Sequence, residues 1–369
     1  MTLIRAAVMV APHAPIEMRE LPMPALEPGA AMLRTLYSEV CGTDVHLHHG
    51  RLTGVPYPIV PGHVSVGHIE QLRGAITDIH GTPFREGDLV TFLDVHETCG
   101  ACYECLVTKQ TTRCAHRKVY GITYGVADGP LGGWAEQIWM KPGVKLLRVP
   151  AGVDPIRFIA GGCGLVTAMH AIERAGVRLG HSVAVLGVGP VGQAAIALAG
   201  LSGAYPIIAI GGPDSRLAFA SQMGATHTLG LDMAPEERAL QVRALTGGRG
   251  VDIVIEAAGV PDAVTQGLDF VRDGGRVVVA GQYTDGGSTE LNPHRQLNRK
   301  HAELVGCWGC DYSHFHRSMQ VLAEQGRDLP WEGGISARYS LEQANEALEA
   351  VANRTVVKAL IVPNGDGGS

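Results

Sequence analysis

Charge is scarce in this 369-residue sequence: Asp, Glu, Lys and Arg together make up 18%, against about 25% in an average globular domain. The formal net charge is −6 and there is no long basic run, so the electrostatic footprint of a nucleic-acid binder is missing. Aromatic residues amount to only 5% and give no hint of a substrate. Long apolar runs are lacking as well. The stretch near 183–199 is interrupted by Gly and Pro, and no segment reads as a bilayer span or a membrane partner. The opening "MTLIRAAVMVAPHAP" carries one Arg and a short apolar run, which reads as a strand and a turn rather than a signal peptide. The expected location is therefore cytoplasmic. No internal repeat is present, and the tail "NGDGGS" is expected to be disordered.

What is present organises the chain into two domains, as 369 residues and a hydrophobic content of 46% allow. Up to about residue 150, short β-like runs ("AAVMVA", "AAMLRTLYSEV", "GDLVTFLDV", "WAEQIWM") are separated by Pro and Gly. That spacing predicts an antiparallel, barrel-like or sandwich unit. From 181 the texture changes to apolar strands alternating with helical stretches, which predicts βαβ units and a parallel sheet. Beyond about 300 an amphipathic helix, "SLEQANEALEAVANR", precedes a last strand, "VVKALIVP".

In "VAVLGVGPVGQAAIALA", Gly187, Gly189 and Gly192 form G-x-G-x-x-G after a strand and at the mouth of a helix, with Pro190 and Val191 between them. The first glycine makes the tight turn and the second lets backbone approach a pyrophosphate. The third lets helix and strand pack, leaving the phosphate at the helix N-terminus. This context marks a dinucleotide site. The position that usually carries an acid for the ribose 2′-hydroxyl falls on Gly211. Asp214 and Arg216 are the nearest acid and base, and the balance leans to NAD over NADP.

Eight cysteines in a long chain point to metal before disulfides. "CGACYECLVTKQTTRC" sets Cys99, Cys102, Cys105 and Cys114 at intervals of x2, x2 and x8. Four thiolates on one lobe suit a closed structural zinc site. An iron–sulfur cluster would more usually continue with x3 and a Pro. Cys307 and Cys310 lack further ligands nearby and read as core thiols.

The four-cysteine lobe, the glycine-rich unit behind it and "EVCGTDVHLHHG" ahead of it resemble the zinc-dependent alcohol dehydrogenases of the medium-chain dehydrogenase/reductase family. "GGWAEQ", "GCGLVTAMHA", "DIVIEAAG" and "GGRVVVAG" extend the resemblance over nearly the whole chain. It implies an α/β architecture: a GroES-like β-rich catalytic domain (1–160 and 305–369) and a Rossmann coenzyme domain (161–304). It implies two zinc ions per subunit, with Cys41, His63 and Cys163 as ligands of a catalytic zinc whose fourth position stays open. The implied reaction is reversible hydride transfer between a primary or secondary alcohol and NAD(P)+ through a zinc-bound alkoxide. Thr43 and His46 match a proton relay, and Asp44 matches the carboxylate that orients the ligating imidazole. His48 and His49 match no role and read as surface residues. A homodimer or homotetramer is also implied.

Two positions depart from the family pattern. The last interval of the lobe is x8 instead of x7, with His116 as a reserve ligand. Val64 stands where an acid usually follows the ligating histidine; zinc retention with altered exchange at the metal is the expectation. Two other readings compete. A metal-free enone or quinone reductase of the same superfamily would have no use for Cys41, His63 and Cys163. A non-catalytic redox-sensing protein on this fold would have none for Thr43 and His46.

Overall fold

A computed structural model describes residues 2–365; the expected disorder of the tail falls, from 366 onward, outside the described residues. The chain divides into two compact units. One comprises Met1–Gly162, Asp311–Met319 and Ile335–Ser369; the other comprises Cys163–Cys310 and Gln320–Gly334.

The first unit is built on a seven-stranded sheet. Its path runs Ile335–Tyr339, Lys358–Ile361, Ala31–Val40, Ser65–Leu72, Leu89–Phe92 and Leu146–Arg148, with Gln137–Met140 also pairing on Ala31–Val40. All neighbours are antiparallel except the two C-terminal strands. Leu33, Ile69, Val90, Phe92, Tyr120, Ile138 and Met140 form its core. Strand Ala31–Val40 slips register twice against Ser65–Leu72. Such bulges bend a strand, and this one ends beside Cys41.

The second unit holds six parallel strands in the order His227–Gly230, Ile207–Gly211, Val183–Leu186, Val251–Glu256, Val271–Val279, Glu303–Gly306. Each strand pair is bridged by a helix or a long crossover, and the central strands are apolar on both faces, as Val183–Leu186 shows. The expected domain boundary at 304/305 falls inside Glu303–Gly306. That strand pairs with Val271–Val279 and completes the parallel sheet, so the chain leaves this unit only after Cys310. It then re-enters for Gln320–Gly334.

One expectation needs correcting. The helix Pro155–Ala175 is long and apolar enough, by length and composition, to cross a membrane. It is not one straight rod: Gly162 has φ 47° and ψ −147° in its middle, and 61% of its most apolar window is buried within the protein. Both features are those of a kinked core helix.

Candidate metal and coenzyme sites

The helix Gly42–His48 begins with a capping box in which Cys41 is the cap. Cys41 Sγ accepts from the Thr43 amide at 3.3 Å, and Asp44 Oδ2 accepts from the Cys41 amide at 2.9 Å. The sequence C-G-T-D thus fixes the direction of the thiol by ordinary helix capping.

His63 sits in the turn before Ser65–Leu72. Gly62 (φ 88°) makes that turn possible, since a Cβ there would come within 2.6 Å of both Ser38 Oγ and the Trp134 ring. His63 Nε2 lies 3.9 Å from Cys41 Sγ. Burial alone would push His63 down; the Cys41 sulfur, helped by Asp44 and Asp94, outweighs it and raises the imidazole to about 10. Asp44 is fully buried, and burial, followed by the Cys41 charge, pushes its carboxyl well up. The environment rewards positive charge placed among these groups.

Cys163 follows Gly162 directly, and its sulfur completes a cluster with Cys41 Sγ and a His63 ring nitrogen in which all ligand atoms lie within 4.8 Å of one another. Two sulfurs and one imidazole on largely buried residues are a fitting donor set for zinc. Asp44, expected to orient the imidazole, makes no hydrogen bond to it: among the described residues Asp44 Oδ1 and His63 Nδ1 are both buried without a partner. Asp44 spends its other oxygen on the helix cap and acts on His63 through charge.

Thr43 and His46 are half-buried on the same short helix. Burial, then the nearby Arg51, lowers His46, so the imidazole is neutral near pH 7 and able to take a proton. His48 and His49 are not surface residues as expected. Both are half-buried, His48 Nε2 lies 3.2 Å from the Ala14 carbonyl, and the His49 ring stacks on His13 at 5.6 Å.

The lobe brings Cys99, Cys102, Cys105 and Cys114 together, with all four sulfurs within 4.8 Å of one another. A 3₁₀ turn, Thr111–Arg113, leads into Cys114, which joins the cluster despite the x8 interval, and His116 stays exposed outside it. The Ala101 amide, donating to the Cys99 sulfur, lowers that thiol to about 6. Of the remaining pair, Cys307 is buried, its thiol pushed up to about 11, while Cys310 is only half-buried.

In the second unit, Gly187 turns at φ 99° with Ala257 backbone 2.7 Å from where a Cβ would stand, and a Cβ on Gly192 would lie 1.8 Å from the Gly187 carbonyl. Gly189, by contrast, faces open space: nothing lies within 4 Å of its would-be Cβ. It caps the helix Pro190–Leu201 without any side-chain hydrogen bond, so first-turn amides such as that of Val191 remain for an anion. At the cofactor-choice position, a Cβ on Gly211 would stand 2.6 Å from Val188 Cγ2. The space an acid would use is occupied. Asp214 opens the next helix, Asp214–Gln222, with Arg216 two residues on.

Comparison with known proteins bears on all of this. Residues 27–151 match the alcohol dehydrogenase GroES-like domain and residues 190–324 the zinc-binding dehydrogenase domain. The chain is 35% identical to 5-exo-hydroxycamphor dehydrogenase of Pseudomonas putida, across 97% of this chain and 98% of that protein. The chain belongs to the zinc-dependent alcohol dehydrogenases of the medium-chain dehydrogenase/reductase family. Its fold superposes on an alcohol dehydrogenase of Thermotoga maritima with a TM-score of 0.94, at 31% identity over 99% of this chain and 100% of the other. A zinc-binding dehydrogenase of Sinorhizobium meliloti bound to NADP gives a TM-score of 0.86 at 25% identity, over 98% and 100% of the two chains. As a member of this family the protein is a dehydrogenase, an oxidoreductase.

Three residues near the Cys41/His63/Cys163 cluster were not singled out from the sequence. Asp94 is a carboxylate that acts on His63, and burial raises it. Glu39 and Lys358 form an ion pair at 2.8 Å with both side chains almost wholly buried. The available signal was a charged residue inside an apolar strand, in "SEV" and in "VVKALIV".

Proposed function

We propose that this dehydrogenase oxidises secondary alcohols reversibly to ketones with NAD(P)+, using one zinc in the Cys41/His63/Cys163 cluster and a second, structural zinc in the lobe. The observation that carries the reading is the convergence of three soft donors next to a helix that also bears Thr43 and His46. When bound, zinc supplies a Lewis acid at the cluster and the nicotinamide supplies the hydride acceptor. The chain's own contribution is the path of the proton. Thr43 Oγ1 takes it from the substrate hydroxyl and passes it on, and the neutral His46 ring carries it towards solvent. With the nicotinamide bound to accept the hydride, the substrate's proton would leave to water by this path.

Secondary alcohols are favoured because 5-exo-hydroxycamphor dehydrogenase, 35% identical to this chain, is named for an alicyclic alcohol of that kind. NAD is favoured over NADP because Asp214, three residues after Gly211, would repel a 2′-phosphate, with Arg216 the nearest base to oppose it. Eight cysteines with no disulfide among the described residues suit a reducing compartment and hence the cytoplasm. A homodimer or homotetramer belongs to the same proposal.

The test is metal analysis together with a screen of alcohols against NAD+ and NADP+, followed by nicotinamide absorbance. About two zinc ions per subunit and chelator-sensitive oxidation of secondary alcohols are expected. A metal content near zero, or activity that survives both chelation and Cys41→Ala, would replace this reading with the metal-free reductase.

A further inference from the structure

The buried pair Glu39–Lys358 has no part in the reaction described above, yet its hydrogen bonds touch the chain next to every one of the three proposed ligands. Glu39 stands two residues before Cys41, and its amide donates to the Val64 carbonyl, one residue after His63, at 3.0 Å. Lys358 Nζ meets Glu39 Oε1 at 2.8 Å and donates to the carbonyls of Ile159 at 3.0 Å and Gly161 at 3.4 Å. Gly161 lies two residues before Cys163. The ammonium therefore spends its three protons on one carboxylate and on the last turn before the Gly162 kink.

The kink itself is shaped by the pair. A Cβ on Gly162 would stand 2.0 Å from Glu39 Oε2 and 2.7 Å from Lys358 Nζ. The carboxylate is thus pressed against the residue whose unusual backbone angles re-aim the helix at Cys163. The main chain of Glu39 is fixed from a further side, because the Trp134 ring nitrogen donates to its carbonyl at 3.3 Å. A buried ion pair rarely contributes net stability over an apolar pair. What it contributes is a fixed geometry.

We infer that Glu39 and Lys358 are positioning residues of the metal cluster: the pair holds the Gly162 kink, and through it Cys163, in register with Cys41 and His63. The departure at Val64 then acquires a counterpart. The carboxylate that position 64 lacks is present in the adjacent strand, at position 39. This inference rests on the zinc reading of the cluster.

The test measures metal rather than turnover. Wild type, Glu39→Gln and Lys358→Met are stripped of metal and titrated with zinc against a chromogenic chelator. The cobalt-substituted forms are compared by their visible spectra. Loss of a residue that orients ligands from behind costs about 10- to 100-fold in metal affinity. That loss is expected at one of the two sites, with a changed cobalt spectrum, while the lobe keeps its metal as an internal control. Glu39→Gln is isosteric and decides the matter by itself should Lys358→Met fail to fold. Variants that bind zinc at both sites as tightly as wild type, with unaltered cobalt spectra, overturn the positioning role and leave the proposed function standing. A wild-type protein that binds metal only in the lobe overturns both.

Discussion

Replacing Gly162 by Ala perturbs a single methyl group at the point where backbone and buried charge meet. The native φ of 47° with ψ of −147° belongs to a region that is essentially glycine's own, and holding an L-residue there costs about 1–3 kcal/mol. The new Cβ would also overlap Glu39 Oε2 and crowd Lys358 Nζ. Both side chains are buried, so they can separate only by leaving charge unpaired, for which about 3–5 kcal/mol is typical. Because the chain relieves part of each strain by moving, the sum expected is about 3–5 kcal/mol. At roughly 2–4 °C per kcal/mol for a body of this size, the melting temperature falls by about 6–20 °C. Differential scanning calorimetry on the metal-loaded protein reads this directly, with wild type scanned alongside at the same rate. A fall of less than about 2 °C, with zinc content unchanged, would refute the reasoning: the kink would then need neither glycine nor the close approach of the pair.

Four other outcomes follow from the same geometry. Gly189→Ala meets no neighbour and keeps an extended backbone (φ −78°), so its stability changes by no more than about 0.5 kcal/mol, whereas NADH affinity by fluorescence titration falls at least about tenfold because the methyl group fills the pyrophosphate cradle. His46→Gln lowers kcat by about 100-fold at pH 7 and leaves zinc content unchanged; an unaltered pH–rate profile would remove His46 from the relay. In the wild type His46 is held below 6.5 by burial and Arg51, so the unfolded chain takes the proton first and acidification through that range lowers stability, a loss that His46→Gln should abolish in pH-dependent melts. Asp252 would be raised by burial, but hydrogen bonds from Ser182 and Arg272 hold it at about 2, below its ordinary 3.8. Its contribution, about 1–2 kcal/mol after allowance for solvent screening, is complete above pH 3.8 and lost as the pH falls through 2; Asp252→Asn should flatten that part of the acid-denaturation curve. Cys114→Ser removes one zinc and lowers the melting temperature while the cluster at Cys41 keeps its metal by elemental analysis.

Local chemistry made much of this legible before any coordinate. G-x-G-x-x-G is a statement about backbone close approach, and the structure places Gly187 and Gly192 where a side chain would collide. In C-G-T-D the sequence pointed to a metal ligand and its neighbours by resemblance; that Cys41 also caps its helix came only with the structure. The four-cysteine lobe spans a short segment, so its spacing nearly dictates its closure, and the longer last interval does not keep Cys114 from the cluster. Contacts between distant segments were not legible. Asp94 acts on His63 from the bend between two strands, Asp44 turns an oxygen to cap its helix, and the His48 and His49 rings pack against His13.

By itself the sequence determined the α/β class, the glycine-rich coenzyme loop and the closure of the four-cysteine lobe, because each is set by short-range spacing; the meeting of Cys41, His63 and Cys163, far apart in the chain, was a matter for the fold. The tertiary structure alone decided how the last strand returns to the first sheet. That return brings Lys358 to Glu39, two charges 319 positions apart, into a place where neither could remain unpaired. Val64 had looked like an acid lost from the metal site. Beside it the fold sets an acid from a neighbouring strand, because only the fold determines which strands are neighbours.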